Sequence, residues 1–255
     1  TFHMNAKTIA QRVLQPTPIY PLAQALYQSL VVAPRRRKLY RRFITNRSLC
    51  FDIGANRGDR SALFCDLGAT VVAVEPVKHL STELVRRFAA NPRITVDSRA
   101  VGRAIGTSTI YVSTLDVIST MSEDWVNACD QQPRFASEKW TPQAVDVCTL
   151  DALIEQYGTP NFVKIDVEGF ETEVLEGLTQ PVGALSFEYT PFRPEPAAEC
   201  LSILHGIGAR RFNSSSGESF VLTHKRWLTF TEMLAFCRTQ MPLEPQYGDI
   251  YARFE

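Results

Sequence analysis

The sequence predicts an α/β fold, a parallel sheet with helices on both faces. Three observations predict it. Strand-like apolar runs alternate with helix-spaced segments from residue 49 onward. The first of these runs, Leu49 to Ile53, passes directly into a glycine loop and then a helical pattern. A length of 255 residues suits one large α/β domain, with ample chain to bury a core.

The elements follow in order. Residues 5 to 45 read as a helical preamble interrupted at Pro16, Pro18, Pro21 and Pro34. Within it, Leu22, Ala25, Leu26, Ser29 and Leu30 form a helix-spaced apolar face that should pack on the main domain. Strand 49–53 leads to helix 59–67, strand 70–74 to helix 77–90, and that helix stops before Asn91-Pro92. Strand 93–97 follows. Gly106 to Ser113 alternates in β fashion with Ile110 and Val112 on one face, and Val145 to Thr149 is another strand. Helix 150–157, strand 161–166, helix 169–178, strand 184–189, helix 196–206 and strand 209–213 complete the alternation. Ser214 to Gly217 reads as a flexible turn, and Tyr247 to Phe254 as a final strand beside 209–213. Residues 114–142 lack a strong period but carry Trp125, Phe135 and Trp140, which reads as a lid on the substrate side. The domain division is therefore 1–46 as extension and 47–255 as the main domain. Thr1 to Met4 resembles a cloning remnant.

The run Phe51-Asp52-Ile53-Gly54-Ala55-Asn56-Arg57-Gly58-Asp59 carries the first chemistry. Strand, tight glycine loop and helix N-terminus make a nucleotide-type cradle. Gly54 lacks a Cβ, so a ligand can approach the backbone, and Gly58 permits a turn that other residues resist. The next strand ends in Glu75, whose carboxylate can accept from both hydroxyls of a ribose. The spacing D-x-G-x-N-x-G is not the G-x-G-x-x-G of a dinucleotide site, and there is no G-x-x-x-x-G-K-[ST] phosphate loop. Asp52 would repel a pyrophosphate but suits an ammonium and a sulfonium. The expected cofactor is S-adenosyl-L-methionine.

The second cluster is Asn161-Phe162-Val163-Lys164-Ile165-Asp166-Val167-Glu168-Gly169-Phe170-Glu171. Strand alternation puts Lys164, Asp166 and Glu168 on one face toward the strand's carboxyl end, where ligands of open parallel sheets bind. Asp52, Glu75, Asp166 and Glu188 should converge there. Methyl transfer from a sulfonium needs alignment and removal of a proton, so Asp166 or Glu168 is the candidate catalytic group. Glu171 and Glu173 read only as complements to a helix dipole. Asp166 and Glu188 could alternatively hold a divalent cation, but no further ligand is evident from spacing, so no metal is expected. His79, His205 and His224 read as surface residues.

Composition bounds the rest. Lys plus Arg equals Asp plus Glu at 27 each, so no global field favours nucleic acid. The basic run Arg35 to Arg42 reads as a solvated face, or more sharply as a patch for an anionic substrate or surface. Cys50, Cys65, Cys129, Cys148, Cys200 and Cys237 show no C-x-x-C and suit buried thiols in a reducing, cytoplasmic setting. No run is long and apolar enough for a membrane span.

F-D-I-G-A-N-R-G-D, then V-E-P, V-D-V-C-T-L-D and V-K-I-D-V-E-G-F-E together resemble the FkbM-type methyltransferases, as does the terminal Gly248-Asp249-Ile250-Tyr251-Ala252. The resemblance spans roughly residues 47 to 254. It implies a class I methyltransferase (Rossmann-like) fold, seven-stranded and mostly parallel with an antiparallel last strand. It further implies S-adenosylmethionine and O-methylation of a hydroxyl on a sugar or secondary metabolite. Asp52, Gly54, Asn56, Gly58 and Glu75 carry over as cofactor residues, with Ala55, Pro76, Ser98 and Asp166 counted beside them. Asp166 and Glu168 carry over as the floor of the active site. An NAD(P)-dependent oxidoreductase or epimerase, and a non-catalytic module, are the competing readings; the first lacks its pyrophosphate loop and a Y-x-x-x-K pair.

Overall fold

The structure is a computed structural model and describes residues 20–115, 118–132, 138–190, 193–239 and 247–254, with side chains from residue 24. Phe135 and the prolines Pro16 and Pro18 lie outside the described residues.

The chain enters as α1 (Tyr20–Tyr27), a π-turn (Gln28–Val32) and α2 (Ala33–Tyr40). Pro34 does not break this helix, contrary to the sequence reading. A proline ring clashes with the carbonyl four residues back, and here the wider π-turn, in which Ala33 N–H donates to Gln28 O, accommodates it. Among the described side chains, Gln24 to Leu30 are exposed, with Leu26 at 51% and Leu30 at 70%, and the first buried one is Val32. The expected docking of the Leu26–Leu30 face on the domain is therefore overturned. The core sites on that side of the sheet are filled instead by Leu39, Tyr40, Phe43 and Ile44.

Then follow β1 (Leu49–Ile53), α3 (Asp59–Asp66), β2 (Thr70–Val74), α4 (Lys78–Phe88), β3 (Ile94–Asp97), β4 (Ala100–Val101), β5 (Gly106–Ser113), α5 (Glu123–Asp130) and β6 (Trp140–Cys148). The chain continues with α6 (Leu150–Tyr157), β7 (Phe162–Ile165), α7 (Glu171–Glu176), β8 (Ala184–Tyr189), α8 (Pro194–Gly206), β9 (Arg211–Ser216), α9 (Phe230–Thr239) and β10 (Gly248–Arg253). The main sheet has seven strands in the order β3-β2-β1-β7-β8-β10-β9. All neighbours are parallel except β10, which runs antiparallel to both β8 and β9. This is the strand order of the class I methyltransferase fold. A smaller sheet, β4-β6-β5, stands beside it.

Both sheet faces are buried, which is why the central strands read as continuous apolar runs. Phe51, Ile53, Val72 and Val74 face α6, α7, α8 and α9. Cys50, Val71, Ala73 and Phe162 face α2 and α3, where Phe162 sits amid Tyr40, Phe43 and Phe64. All six cysteines are buried and free.

Three stretches depart from the sequence reading. Ser214 to Ser216 are not a turn but the end of β9, with Ser214 and Ser215 fully buried. Their polar sequence is tolerated because bridges from Leu222 and Leu228 cover the sheet edge. Helix α9 was missed although Thr229 and Glu232 form a capping box, with Thr229 N–H donating to the Glu232 carboxylate at 2.9 Å. Residues 114–142 are less irregular than expected. They contain α5, capped by the Ser122 hydroxyl accepting from Trp125 N–H, and the start of β6 at Trp140.

Candidate active site

The carboxyl ends of β1, β2, β7 and β8 meet at a cleft of about 530 Å³. Gly54 turns the chain out of β1 at φ +78°, and a Cβ there would lie 1.9 Å from Asp166 O. Only glycine fits, because the loop after β1 rests on the loop after β7. Gly58, at φ +79°, starts α3 tight against Leu84 and Phe88 of α4. Gly54 and Asn56 line the cleft, whereas Ala55 and Gly58 lie behind it as buried supports.

Asp52 does not line the cleft. It is buried, and its carboxylate accepts from the Ser61 hydroxyl at 2.5 Å. Burial pushes its pKa up, partly opposed by Ser61 and Arg60. Strand alternation explains the difference from expectation: Ile53 faces the ligand side while Asp52 faces α3. Its visible work is to anchor that helix.

Glu75 lies where the sequence places it. Its two oxygens accept from Asn56 N–H at 2.8 Å and Val77 N–H at 2.9 Å. Burial raises its pKa to about 7, opposed by those two amides. A carboxylate oxygen can accept more than one hydrogen bond, so each retains capacity for a ligand hydroxyl. Pro76, Val77, Ala100 and Val101 line the cleft beside it with apolar surface. A buried, under-compensated carboxylate next to an apolar slot fits the ribose and adenine of S-adenosylmethionine. Ser98 is exposed and is not brought to the cleft.

At the second cluster the alternation argument holds only in part. Strand β7 ends at Ile165, and Lys164 is buried away from the cleft. Its ammonium lies 3.3 Å from Asp166 and 3.0 Å from Asp249. Burial would lower the Lys164 pKa, but those two carboxylates raise it above the usual range. Asp166 also faces Arg60 at 3.7 Å. Burial works to raise its pKa, yet Lys164 and Arg60 hold it below the ordinary carboxylate range. Glu168 reaches the cleft from a loop at φ +54°, a costly conformation for a non-glycine residue. The Thr120 hydroxyl donates to its carbonyl at 2.7 Å.

Asp166, Glu168 and Glu188 each bring one carboxylate oxygen within 4.8 Å of the others. Burial, then the charges of Asp166 and Glu168, push Glu188 far above its usual pKa. Its carboxyl group is hydrogen-bonded to Asp166. The sequence reading found two oxygen ligands for a cation; the fold supplies Glu168 as a third, so the group could hold either a proton or a divalent ion.

Trp125, Phe170, Ile118 and Met121 also line the cleft. The Trp125 ring lies over Gly169, where a Cβ would meet it at 3.0 Å. Trp140 points elsewhere, its indole N–H donating to Asp130 at 3.1 Å. His79, His205 and His224 do not line the cleft; His205 stacks on Phe230 and His224 packs edge-on against Phe236. Arg60, Glu218 and Tyr247 line the cleft, and Asp249 supports it, yet none was singled out as a site residue. Only Asp249 had a signal, in the Gly248-Asp249 pair.

Cleft, strand order and paired carboxylates define a methyltransferase of the class I fold. Residues 52–230, more than half of the chain, match the methyltransferase FkbM domain family, and the chain belongs to that family. Its cofactor is S-adenosylmethionine. Solved structures with weak overall likeness include a TehB-like SAM-dependent methyltransferase from Corynebacterium glutamicum, with 9% identity, TM-score 0.46, and 94% of this chain and 100% of that one covered. A precorrin-6y C5,15-methyltransferase from Geobacter metallireducens has 10% identity, TM-score 0.44, and 88% and 87% covered. Aeropyrum pernix fibrillarin, with natively bound S-adenosyl-L-methionine, has 9% identity, TM-score 0.44, and 82% and 68% covered. No curated protein is significantly similar to the chain.

Glu171 does more than complement the helix dipole. It is buried, and its carboxylate accepts from Val167 N–H at 3.2 Å and Gly169 N–H at 3.3 Å, fastening the Glu168 loop. Burial raises its pKa to about 7. A carboxyl whose folded pKa is raised binds more protons folded than unfolded, so stability falls as pH rises from about 4.3, the unfolded value, toward 7. Glu171→Gln should match the native protein below about pH 4 and exceed it increasingly as pH rises to 8, by on the order of 2–3 kcal/mol, read by urea unfolding. A Glu171→Gln protein less stable than native at pH 8 would contradict the assignment.

Proposed function

We propose that the protein transfers the methyl group of S-adenosylmethionine to a hydroxyl of a sugar or secondary metabolite. One observation carries this reading: a single cleft, lined also by Trp125 and Phe170, joins the Glu75 slot to the Asp166, Glu168 and Glu188 cluster. The bound cofactor supplies an electrophilic methyl group. Glu75 would hold its ribose hydroxyls, and Asp166 would serve its ammonium end.

The roles of the three carboxylates divide by basicity. Asp166, held ionised by Lys164 and Arg60, is a weak base and a good orienting acceptor. Glu188, whose pKa burial and the Asp166 and Glu168 charges raise, favours its neutral form and suits a hydrogen-bond donor. Glu168 is left to accept the proton of the attacking hydroxyl. Trp125 and Phe170 offer large, stiff faces that suit a sugar ring or polyketide surface. A carboxylate-lined cleft disfavours nucleic acid as acceptor, and buried free thiols suit a cytoplasmic enzyme.

In calorimetric titration, S-adenosylhomocysteine should bind in about the micromolar range and NAD should give no heat. Glu75→Ala should weaken S-adenosylhomocysteine by roughly 1–3 kcal/mol, the cost of removing a charged acceptor. Unchanged affinity would remove Glu75 from the site.

Glu168→Gln should lower kcat by roughly 10²–10⁴-fold with little change in cofactor affinity, measured with labelled methyl donor and a panel of hydroxylated acceptors. Activity should survive chelator treatment. Loss on chelation with recovery on magnesium would assign the three carboxylates to a cation.

Residues 118–132, the described middle of the segment 114–142, act in this reading as the cover of the acceptor. Trp125 and the Thr120–Glu168 contact give that segment a direct hold on the site. Amide exchange over residues 118–132 should slow when cofactor and acceptor are both bound. High protection already present in the free protein would make it a fixed wall.

A further inference from the structure

The chain is charge-balanced as a whole but not along its length. The first 51 residues hold nine Lys and Arg and no Asp or Glu. Residues 20–34 carry no charge at all, and six of the eight residues 35–42 are basic. In the fold these two stretches are one continuous helical run. Gln24 to Leu30 are exposed, with Leu26 and Leu30 the most exposed aliphatic residues among them at 51% and 70%. Arg35, Lys38, Arg41 and Arg42 are also exposed, and the one ion pair this run makes among the described residues is Arg37 with Asp66 at 3.8 Å.

The direction of the helix matters. Tyr40, at its end, packs on Phe162, the first residue of β7. One turn earlier, Arg36 lies over the Phe220 ring, just beyond the carboxyl end of β9. The helix therefore rises toward its N-terminus past the cleft end of the sheet. Other exposed apolar side chains lie at the same end: Leu115 and Tyr247 on the cleft rim, and Val221 beside Phe220.

We propose that this end of the molecule docks on an anionic lipid surface. Leu26 and Leu30 would enter the boundary between headgroups and acyl chains, while Arg35 and Lys38 meet the phosphates. The spacing fits: at 1.5 Å per residue, Arg35 and Lys38 stand about 8–12 Å behind Leu30 along the axis. Interfacial helices bury their apolar residues about 5–10 Å deep, behind a basic layer. Each basic residue near such a surface adds to the attraction. A nucleic-acid backbone would satisfy the arginines but leave Leu26 and Leu30 without a role. The proposal is independent of the methyl-transfer reading.

The test is co-sedimentation of the full chain with phosphatidylcholine vesicles, with and without about 30% phosphatidylglycerol. Binding should require the anionic lipid and be released at about 0.5 M salt. The pairs Leu26→Ser with Leu30→Ser, and Arg35→Glu with Lys38→Glu, should each reduce partitioning at least about tenfold. Both should leave S-adenosylhomocysteine affinity and the thermal midpoint unchanged, since none of the four side chains lines the cleft or the core. No partitioning onto the anionic vesicles, equal partitioning onto neutral ones, or indifference to both variant pairs would overturn the proposal. So would a dimer, seen by light scattering, that the same variants dissociate while vesicles bind nothing.

Discussion

The buried ammonium of Lys164 is the interaction on which the site depends. It lies 1% exposed on β7, between Asp166 at the cleft and Asp249 on β10. A cation so placed is tolerable only when paired, and removing one partner of such a set leaves a charge stranded. The pairing reaches across β8, because β10 is inserted antiparallel between β8 and β9. The reversed last strand thus does more than close the sheet: it delivers Asp249 to hold the lysine that holds Asp166. Arg60, from the first turn of α3, completes the arrangement from the other side.

This network divides the cleft's carboxylates into two kinds. Asp166 has two cations against it and stays ionised. For Glu75 and Glu188 burial outweighs the nearby charges and drives their pKa values up. A site built to bind a cationic cofactor gains from that division. Under-compensated carboxylates favour hydroxyl donors and positive charge, so cofactor binding relieves a cost already present in the free protein. The strained Glu168 backbone, tied down through Thr120, Glu171 and the Trp125 ring over Gly169, is a second stored cost at the same place.

Local pattern was enough for most of the scaffold. The strands from 49 to 97 and from 162 to 189 were legible because strands buried on both faces are runs of apolar residues, and their spacing leaves little freedom. Gly54 and Glu75 were legible because a strand, a glycine turn and a carboxylate after the next strand form a local signature. The serines of β9 were not legible, because their burial comes from residues 222 and 228 bridging a sheet edge. Nor was the exposed face of the first helix, whose periodicity reports amphipathicity but not which surface accepts it.

What the sequence by itself determined is the family, the cofactor loop and the set of carboxylates near the cleft, all of which are written in short contiguous motifs. Only the tertiary structure decided what each acid does. It turned Asp52 inward to Ser61, paired Lys164 with Asp249 from the far end of the chain, and made Glu171 the fastening of a loop. The physical reason is that a carboxylate's role is set by its burial and its nearest charges, and residues 85 positions apart become neighbours only when the strands carrying them pack together.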